Sequence, residues 1–478
     1  MSKPAVDTST GFGGALFESH RKVYPRAVTG WFAAWRWLFV WLTQLIFYGL
    51  PWLALHGRQA VLFDIDARKF YLFDLVLWPQ DVIYLAVLLV LCALALFLFT
   101  AVAGRLWCGF ACPQTVYTEI FLWVERVIEG DRDARMRLDA AGNGARKIAL
   151  KAAKHFVWIA LSLWTGFTFV GYFTPIRTLA MEISTASLGP WEAFWVFFYA
   201  FATYGNAGWM REQVCKYMCP YARFQSAMFD RDTLIITYDQ ARGEPRGRIA
   251  SVEAGGGRRA KGVDPRTVGL GDCIDCGVCV QVCPTGIDIR DGLQYECIGC
   301  TACIDGCNHI MDRMGYARGL IRYSTEAALQ TGASARQIWA RVLRPRVLVY
   351  SILLGLITLA AAFMLVTRVP LKVDVIRDRG FAREVEGGRI ENVYRLQIMN
   401  VTERSRQFSI AVRGIDSVTI DSATTVTIPA ATNQGVPTRV RIDAARAQSG
   451  SQRIEFEVTA LDDPSVRVVE RAVLLVPR

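Results

Sequence analysis

The chain has 478 residues, of which 53% are hydrophobic, and its formal net charge is +11. A mean hydropathy of +0.25 is high for a soluble globular protein, and because the apolar residues lie in blocks we expect membrane spans. No RNA- or DNA-binding motif accompanies the basic charge, so we expect no nucleic-acid partner. The 13 cysteines are not spread as in a small disulfide-bonded secreted domain. Most of them lie in tight groups, which indicates metal chemistry.

Five apolar stretches are predicted to cross the bilayer, at residues 35–55, 82–103, 156–173, 190–206 and 347–367. The third and fourth are short and rich in aromatic residues, as in the interfacial belt of membrane proteins. The polar N-terminal segment, residues 1–34, lacks the cleavage site of a signal peptide and is predicted to be cytoplasmic.

Basic residues predict the orientation of these spans. Residues 104–155 hold nine Lys and Arg, and residues 207–346 hold nineteen. Residues 56–81 hold three, and residues 174–189 hold only Arg177. We therefore expect a multi-pass protein of a bacterial inner membrane, in contact with lipid, with a cytoplasmic N-terminus and a periplasmic C-terminus.

The membrane core, residues 35–219, contains the same CxxxCP motif twice, each time at the predicted cytoplasmic end of a span. Cys108 and Cys112 follow the second span, and Cys215 and Cys219 follow the fourth. Proline disfavours helix at the residue before it, so each pair is predicted near a helix end. The four thiols could converge into one site for a soft metal such as Cu(I), zinc or iron–sulfur, with Met218 as a candidate thioether ligand.

Two neighbouring segments accompany these motifs. Residues 113–130 are predicted to form an amphipathic helix, which either lies on the membrane surface or packs against the protein's own spans. Gly255–Gly257 are predicted to be a flexible lead-in to the cysteine-rich part of the following loop. The lone Cys92 lies within a span and is expected to be inert.

The cytoplasmic loop, residues 220–346, is predicted to be a ferredoxin-like module. It contains the C-x2-C-x2-C-x3-C spacing twice, which is typical of two [4Fe–4S] clusters. The fourth cysteine of each copy reaches the other cluster. One cluster is therefore predicted on Cys273, Cys276, Cys279 and Cys307, and the other on Cys297, Cys300, Cys303 and Cys283. Asn308 follows the last cysteine where the first copy has Pro284, a change that removes no ligand. Several nearby acidic residues are expected to form an ordinary solvated surface: Asp272, Asp275, Asp288, Asp291 and Asp305.

A fifth span, residues 347–368, leads to a C-terminal segment, residues 369–478, in which apolar and polar residues alternate. Short runs of this kind predict an antiparallel β-sandwich of immunoglobulin type. They lie at Tyr394–Asn400, Gln407–Arg413, Thr424–Pro429, Arg439–Ile442, Arg453–Thr459 and Arg467–Leu475. The predicted fold class is thus an α-helical membrane protein with an inserted two-cluster module and a periplasmic immunoglobulin-like β-sandwich.

The strings WCGFACPQT and REQVCKYMCPYARFQSAM, together with the doubled cluster motif, resemble the FixG/CcoG/RdxA family over essentially the whole chain. The resemblance implies an accessory protein for assembly of cbb3-type cytochrome c oxidase. It also implies a cupric reductase that makes Cu(I) for the oxidase copper site, with Cys108, Cys112, Cys215 and Cys219 as its copper-handling residues.

On this reading the partners are oxidase subunits, a copper transporter or chaperone, and an electron donor that the sequence does not name. A homodimer is compatible with the sequence. Two alternatives stay open: a quinol-oxidising conduit similar to the NapH/NosR membrane ferredoxins, and a non-enzymatic scaffold for oxidase assembly.

Overall fold

The computed structural model describes residues 22–247, 253–254, 258–259, 266, 269–333, 335–378, 382–385, 388–415, 418–444 and 449–477. The predicted lead-in at Gly255–Gly257 and most of the N-terminal segment lie outside these residues. The chain divides into two compact units. The first comprises residues up to Thr43, Leu98–Ser162 and Ala200–Val347, and the second Gln44–Phe97, Leu163–Tyr199 and Leu348 to the C-terminus.

Fifteen α-helices are found in the described residues. Their bounds are α1 Trp31–Gly49, α2 Val82–Ala103, α3 Leu106–Phe110, α4 Pro113–Glu129, α5 Arg132–Ala140, α6 Ala145–Val170, α7 Ile176–Ser184, α8 Pro190–Thr203, α9 Pro220–Met228, α10 Gln240–Gly243, α11 Val278–Gln281, α12 Ala302–Met314, α13 Glu326–Thr331, α14 Ala335–Ala340 and α15 Pro345–Val366. Two π-helical segments, Tyr204–Met210 and Val214–Met218, lie between α8 and α9. Such segments are rare and occur often at functional sites.

Two helical segments among the described residues are long and apolar enough to cross a membrane. They are Pro79–Ala103, which contains α2, and Pro345–Val366, which is α15. The other three predicted spans coincide with α1, with the second half of α6, and with α8, which expose Trp and Phe side chains such as Trp41, Phe156 and Phe201. A crossing by these three helices stays a prediction.

The eighteen strands of the described residues form small sheets and one sandwich. Their bounds are β1 Ala54–Leu55, β2 Arg58–Gln59, β3 Val61–Asp64, β4 Lys69–Leu72, β5 Leu75–Leu77, β6 Ile235–Tyr238, β7 Glu253–Ala254, β8 Arg258–Arg259, β9 Ile321–Ser324, β10 Leu371–Arg377, β11 Arg383–Val385, β12 Arg389–Asn400, β13 Arg406–Arg413, β14 Thr419–Ile420, β15 Thr425–Ile428, β16 Asn433–Asp443, β17 Gly450–Ala460 and β18 Arg467–Val476.

The C-terminal β-sandwich is confirmed. One sheet has the order β10-β12-β16-β14, with β11 also paired to β12, and the other has the order β15-β13-β17-β18. The pairs are antiparallel, as in β12 and β16, where Arg389 faces Asp443. Alternate residues of each strand point inward, and the core between the sheets includes Tyr394, Phe408 and Phe456. The buried Tyr394 hydroxyl is satisfied because it donates to the Val473 carbonyl at 2.8 Å.

The segment after α1 forms a second β structure that the sequence analysis treated only as a loop. Strands β3, β4 and β5 make a three-stranded antiparallel sheet. Val76 and Trp78, at its end, are buried against Met399 and Val401 of the sandwich domain. Lys69 donates to the Ala431 carbonyl at 2.7 Å. The small sheet and the sandwich therefore share an apolar contact.

Candidate metal centres

The eight cysteines of the ferredoxin-like module surround two cavities, each of which is walled mainly by apolar side chains. The first cysteine site is a small cavity lined by Cys273, Cys276, Cys279 and Cys307. The second cysteine site is a small cavity lined by Cys283, Cys297, Cys300 and Cys303, and Cys279 also reaches its wall. In each site, the first three cysteines of one motif copy lie together with the fourth cysteine of the other copy, which is the predicted grouping.

The same backbone turn builds both sites. Asp275 and Gly277 flank Cys276 with φ values of 47° and 67°, and Gly299 and Thr301 flank Cys300 with 71° and 63°. These left-handed conformations wind each short loop around its cavity. Asp275 and Thr301 adopt them at a steric cost that glycine avoids, and strain of this kind is concentrated at functional sites.

These thiols fit iron–sulfur clusters. Burial, with a smaller contribution from neighbouring cysteines, raises the pKa of Cys297 and Cys307 to about 12. A free thiol there holds its proton at neutral pH, so binding of the thiolate to iron must release it. Four cysteines around each apolar cavity provide the thiolate donor set that a [4Fe–4S] cluster needs.

Asp291 is exposed, as expected of a solvated surface, but the other acidic residues of the module are held in buried or ion-paired positions. Asp272 is buried, and it pairs with Arg242 and with Arg266, the latter at 2.6 Å. Arg290 binds both Asp275 and Asp288, at 2.7 and 2.6 Å. These arginines offset most of the negative charge near the first cysteine site.

Asp305 and Asn308, both on α12, have structural roles. The buried Asp305 carboxylate accepts from the Ala33 backbone N–H at 2.8 Å and so caps the first turn of α1. Asn308 lies inside α12, where a proline would break the helix. Its side-chain oxygen accepts from the Gly319 N–H at 3.0 Å. This explains why the second copy of the motif does not end in Cys-Pro.

The two CxxxCP motifs have the same local architecture. Cys108 lies in α3 and Cys215 in a π-helical segment, whereas Cys112 and Cys219 directly precede α4 and α9 in extended conformations. In each motif the proline is the first residue of the following helix, a position that needs no N–H donor. The predicted helix ends are confirmed. In each motif the helix ends between the two cysteines, so their thiols do not lie on one helix.

The four CxxxCP thiols lie close enough to interact electrostatically. Burial, with smaller contributions from Cys112 and Cys215, raises the pKa of Cys108 to about 12. Burial raises the pKa of Cys215 to about 12 as well, with additional contributions from Cys112 and Cys219. Cys108 donates to the side-chain oxygen of the buried Gln225 at 3.3 Å. The fold therefore gathers two motifs that are about a hundred residues apart in sequence.

Within the described residues, no three His, Cys, Asp or Glu side chains are placed as ligands of a single ion, either here or at the two cysteine sites. Met218 is 58% exposed, and its role as a ligand stays a prediction.

Sequence reasoning missed the charged residues that surround the motifs. Glu125 is buried, with Arg135 at 2.9 Å, Arg211 at 3.2 Å and Lys154 at 3.4 Å. Arg105, three residues before Cys108, is also buried. The sequence did contain a signal for these buried ion pairs, because an arginine or a glutamate among apolar residues needs a buried partner.

Family models match three parts of the chain. Residues 210–326 match the family model of a 4Fe-4S dicluster domain, and residues 85–129 match that of a 4Fe-4S binding domain. Residues 361–477 match the IG-like fold at the C-terminal of FixG. The match at residues 85–129 includes the first CxxxCP motif.

Curated relatives match over almost the full length. The nitrogen fixation protein FixG of Rhizobium meliloti is 37% identical, covering 95% of this chain and 92% of FixG. Protein RdxA of Cereibacter sphaeroides is 39% identical over 87% of this chain and 88% of RdxA, and RdxB of the same organism is 37% identical over 96% and 95%. The chain belongs to the FixG/RdxA family of iron–sulfur redox proteins.

Proposed function

We propose that this protein reduces Cu(II) to Cu(I) at the CxxxCP thiols and so supplies the copper site of a cbb3-type oxidase. The observation that carries the proposal is the grouping of Cys108, Cys112, Cys215 and Cys219, four soft donors held next to a module with two four-cysteine sites. The proposed partners are oxidase subunits, a copper transporter or chaperone, and an electron donor.

The local structure suits this chemistry. Thiolates are soft ligands that favour Cu(I) over Cu(II). Cys112 and Cys219 stand at the N-termini of α4 and α9. Burial raises the pKa of Cys112, and the backbone N–H groups of Thr115 and Gln114 partly offset this effect. When bound, [4Fe–4S] clusters supply single electrons. The residues of this chain then need only to bind copper and hold it near the module, with no general acid or base.

The proposal is tested with the double variant Cys215→Ala/Cys219→Ala and the matched control Cys92→Ala, whose cysteine is exposed on α2. Dithionite-reduced protein is mixed with Cu(II), and Cu(I) is measured with a chromogenic chelator. We expect both variants to retain about eight iron atoms per chain, as two cubanes require. The control should reduce Cu(II) as the wild type does, and the double variant should not.

The other outcomes separate the alternatives. A double variant that reduces Cu(II) normally removes the CxxxCP thiols from the reaction and overturns the proposal. A wild-type protein that is reduced by a quinol analogue but inert toward Cu(II) is a quinol-oxidising conduit. If Cys276→Ala loses iron but still supports oxidase assembly in cells, the protein is an assembly scaffold.

A further inference from the structure

The first CxxxCP motif touches the loop of the second cysteine site, backbone against backbone. Gly109 directly follows Cys108. A Cβ built on it would lie 2.5 Å from the Gly299 carbonyl oxygen and 2.9 Å from the Cys300 Cα. Only glycine permits so close an approach. The contact joins a CxxxCP motif to the loop that carries Cys297 and Cys300.

Arg105 holds this contact in place. Its buried guanidinium donates to the Tyr295 carbonyl and, at 3.1 Å, to the Cys297 carbonyl. The same guanidinium donates to the Ala222 carbonyl in α9, the helix that follows Cys219. The Arg105 side chain thus connects the second cysteine site to the helix that follows the second CxxxCP motif. In the sequence, Arg105 itself lies just before the first motif.

The second CxxxCP motif reaches the same site through side-chain packing. Cys215 packs against an apolar cluster that contains Ile298, Cys300 and Cys303. The first cysteine site differs. In the described part of the chain, the apolar cluster around Cys273, Cys279 and Cys307 contains no CxxxCP residue. Both motifs therefore meet the module at one of its two sites.

From these contacts we propose that the second cysteine site is the exit of the ferredoxin-like module, and that electrons reach copper across the contact between Gly109 and Cys300. Arg105 is the positioning residue of this junction. Electron tunnelling through protein weakens steeply with distance, so a van der Waals contact determines the favoured route. The CxxxCP thiols release their protons when they bind copper; in the transfer step that follows, one electron is lost from the reduced iron–sulfur centre and one bound Cu(II) becomes Cu(I). The inference rests on the proposed function for copper as the electron acceptor. The contact between Gly109 and Cys300 is independent of that function, because it is a property of this chain.

The junction is tested with Gly109→Ala and the matched control Gly205→Ala, where an added Cβ meets nothing within 4 Å. We expect both variants to keep the iron of the wild type. The electron paramagnetic resonance spectrum of the reduced Gly109→Ala protein should change at the second cysteine site only, because Gly299 and Cys300 must move. Its reoxidation by Cu(II) should slow several-fold, whereas reoxidation by ferricyanide, which needs no bound copper, should not. Unchanged spectra and unchanged Cu(II) rates would overturn the proposed junction.

A second pair of variants assigns the order of the sites and remains informative if Gly109→Ala folds poorly. Cys276→Ala removes a ligand of the first cysteine site, and Cys300→Ala removes one of the second. The remaining centre of Cys276→Ala should still be reoxidised rapidly by Cu(II), and that of Cys300→Ala slowly. The reverse order would overturn the inference. A wild type whose centres Cu(II) does not reoxidise would instead refute the proposed function, and the spectra of Gly109→Ala would still test the contact.

Discussion

Cys112 and Cys219 illustrate how a dipeptide determines local structure. Each cysteine is extended and directly precedes a helix, because the following proline disfavours helix before it and starts a helix well itself. The position of these residues at helix ends could therefore be predicted from the sequence. The contact between the two motifs could not, since Cys108 meets Gln225, and Arg105 meets the Ala222 carbonyl, through tertiary packing.

Asp305 provides a prediction at the scale of one residue. We expect Asp305→Ala to destabilise the protein by about 1 kcal/mol, the usual effect of removing a helix N-cap, because the Ala33 N–H loses its acceptor. Thermal unfolding in detergent measures the change. Asp305→Asn keeps an acceptor oxygen and should lie close to the wild type. An equal loss in both variants would show that charge, rather than capping, is the contribution of this residue.

At the scale of elements, α4 joins the CxxxCP region to its surroundings. The predicted amphipathic helix is confirmed, and its buried face packs on protein: Phe121 stacks on Trp158 of α6 at a ring distance of 5.1 Å. Trp158 also donates from its indole N–H to the Phe121 carbonyl at 3.2 Å. On the same face, the Glu125 carboxylate pairs with Arg135 of α5, Lys154 of α6 and Arg211, which follows α8. One carboxylate therefore links four parts of the chain.

Glu125 provides the prediction for this set of helices. Burial alone would raise its pKa, but Arg211, Lys154 and Arg135 outweigh burial and lower it from 4.5 to about 2. A lowered pKa in the folded state adds stability above pH 4.5, which is lost as the pH falls toward 2. From this shift, Glu125→Gln should cost about 3 kcal/mol at neutral pH, and the difference from the wild type should shrink in acid.

Unfolding curves from neutral pH to pH 3 measure this effect. Asp133→Asn is the control, because Asp133 is 78% exposed and its pair with Arg132, at 3.4 Å, is a surface contact. Exposed pairs of this kind contribute little, so the control should follow the wild-type curve. A Glu125→Gln protein as stable as the wild type at neutral pH would refute the role assigned to the buried carboxylate.

The β elements show which parts of the fold the sequence could predict. All six predicted runs lie on strands of the sandwich, because each has one buried and one exposed face and so a period of two. Strands β10, β11 and β14 were not predicted. Strands β3 to β5 were also missed, because their buried positions depend on contact with Met399 and Val401, more than three hundred residues away. The π-helical segments have no pattern that separates them from ordinary helix.

At the scale of the whole molecule, α2 and α15 form an antiparallel pair. At the start of α2, Asp81 binds Arg368, which follows α15, at 2.6 Å. At the other end, Arg344, which precedes α15, donates to the Ala101 carbonyl of α2 at 2.6 Å. The basic loop of residues 207–346 precedes α15 and residues 369–478 follow it, so a crossing by α15 would place these two segments on opposite sides of a membrane.

The basic residues then predict which side is which. We expect a phosphatase reporter, active only in the periplasm, to be active when fused to the C-terminus and inactive when inserted after Arg231. A reporter active only in the cytoplasm should give the opposite result at both positions. A C-terminal fusion that is cytoplasmic would contradict the predicted orientation of α15 and remove the sandwich from the periplasm.

The cap on α1 also has a consequence for how the protein matures. Asp305 lies on α12 between Cys303 and Cys307, which belong to different cysteine sites. The helix that carries the cap therefore gains its position from ligands of both centres. A chain made during iron starvation would lack not only its redox groups but also the anchor for its first apolar helix. Assembly of the two cysteine sites and anchoring of the first apolar helix are therefore coupled steps in the maturation of this chain.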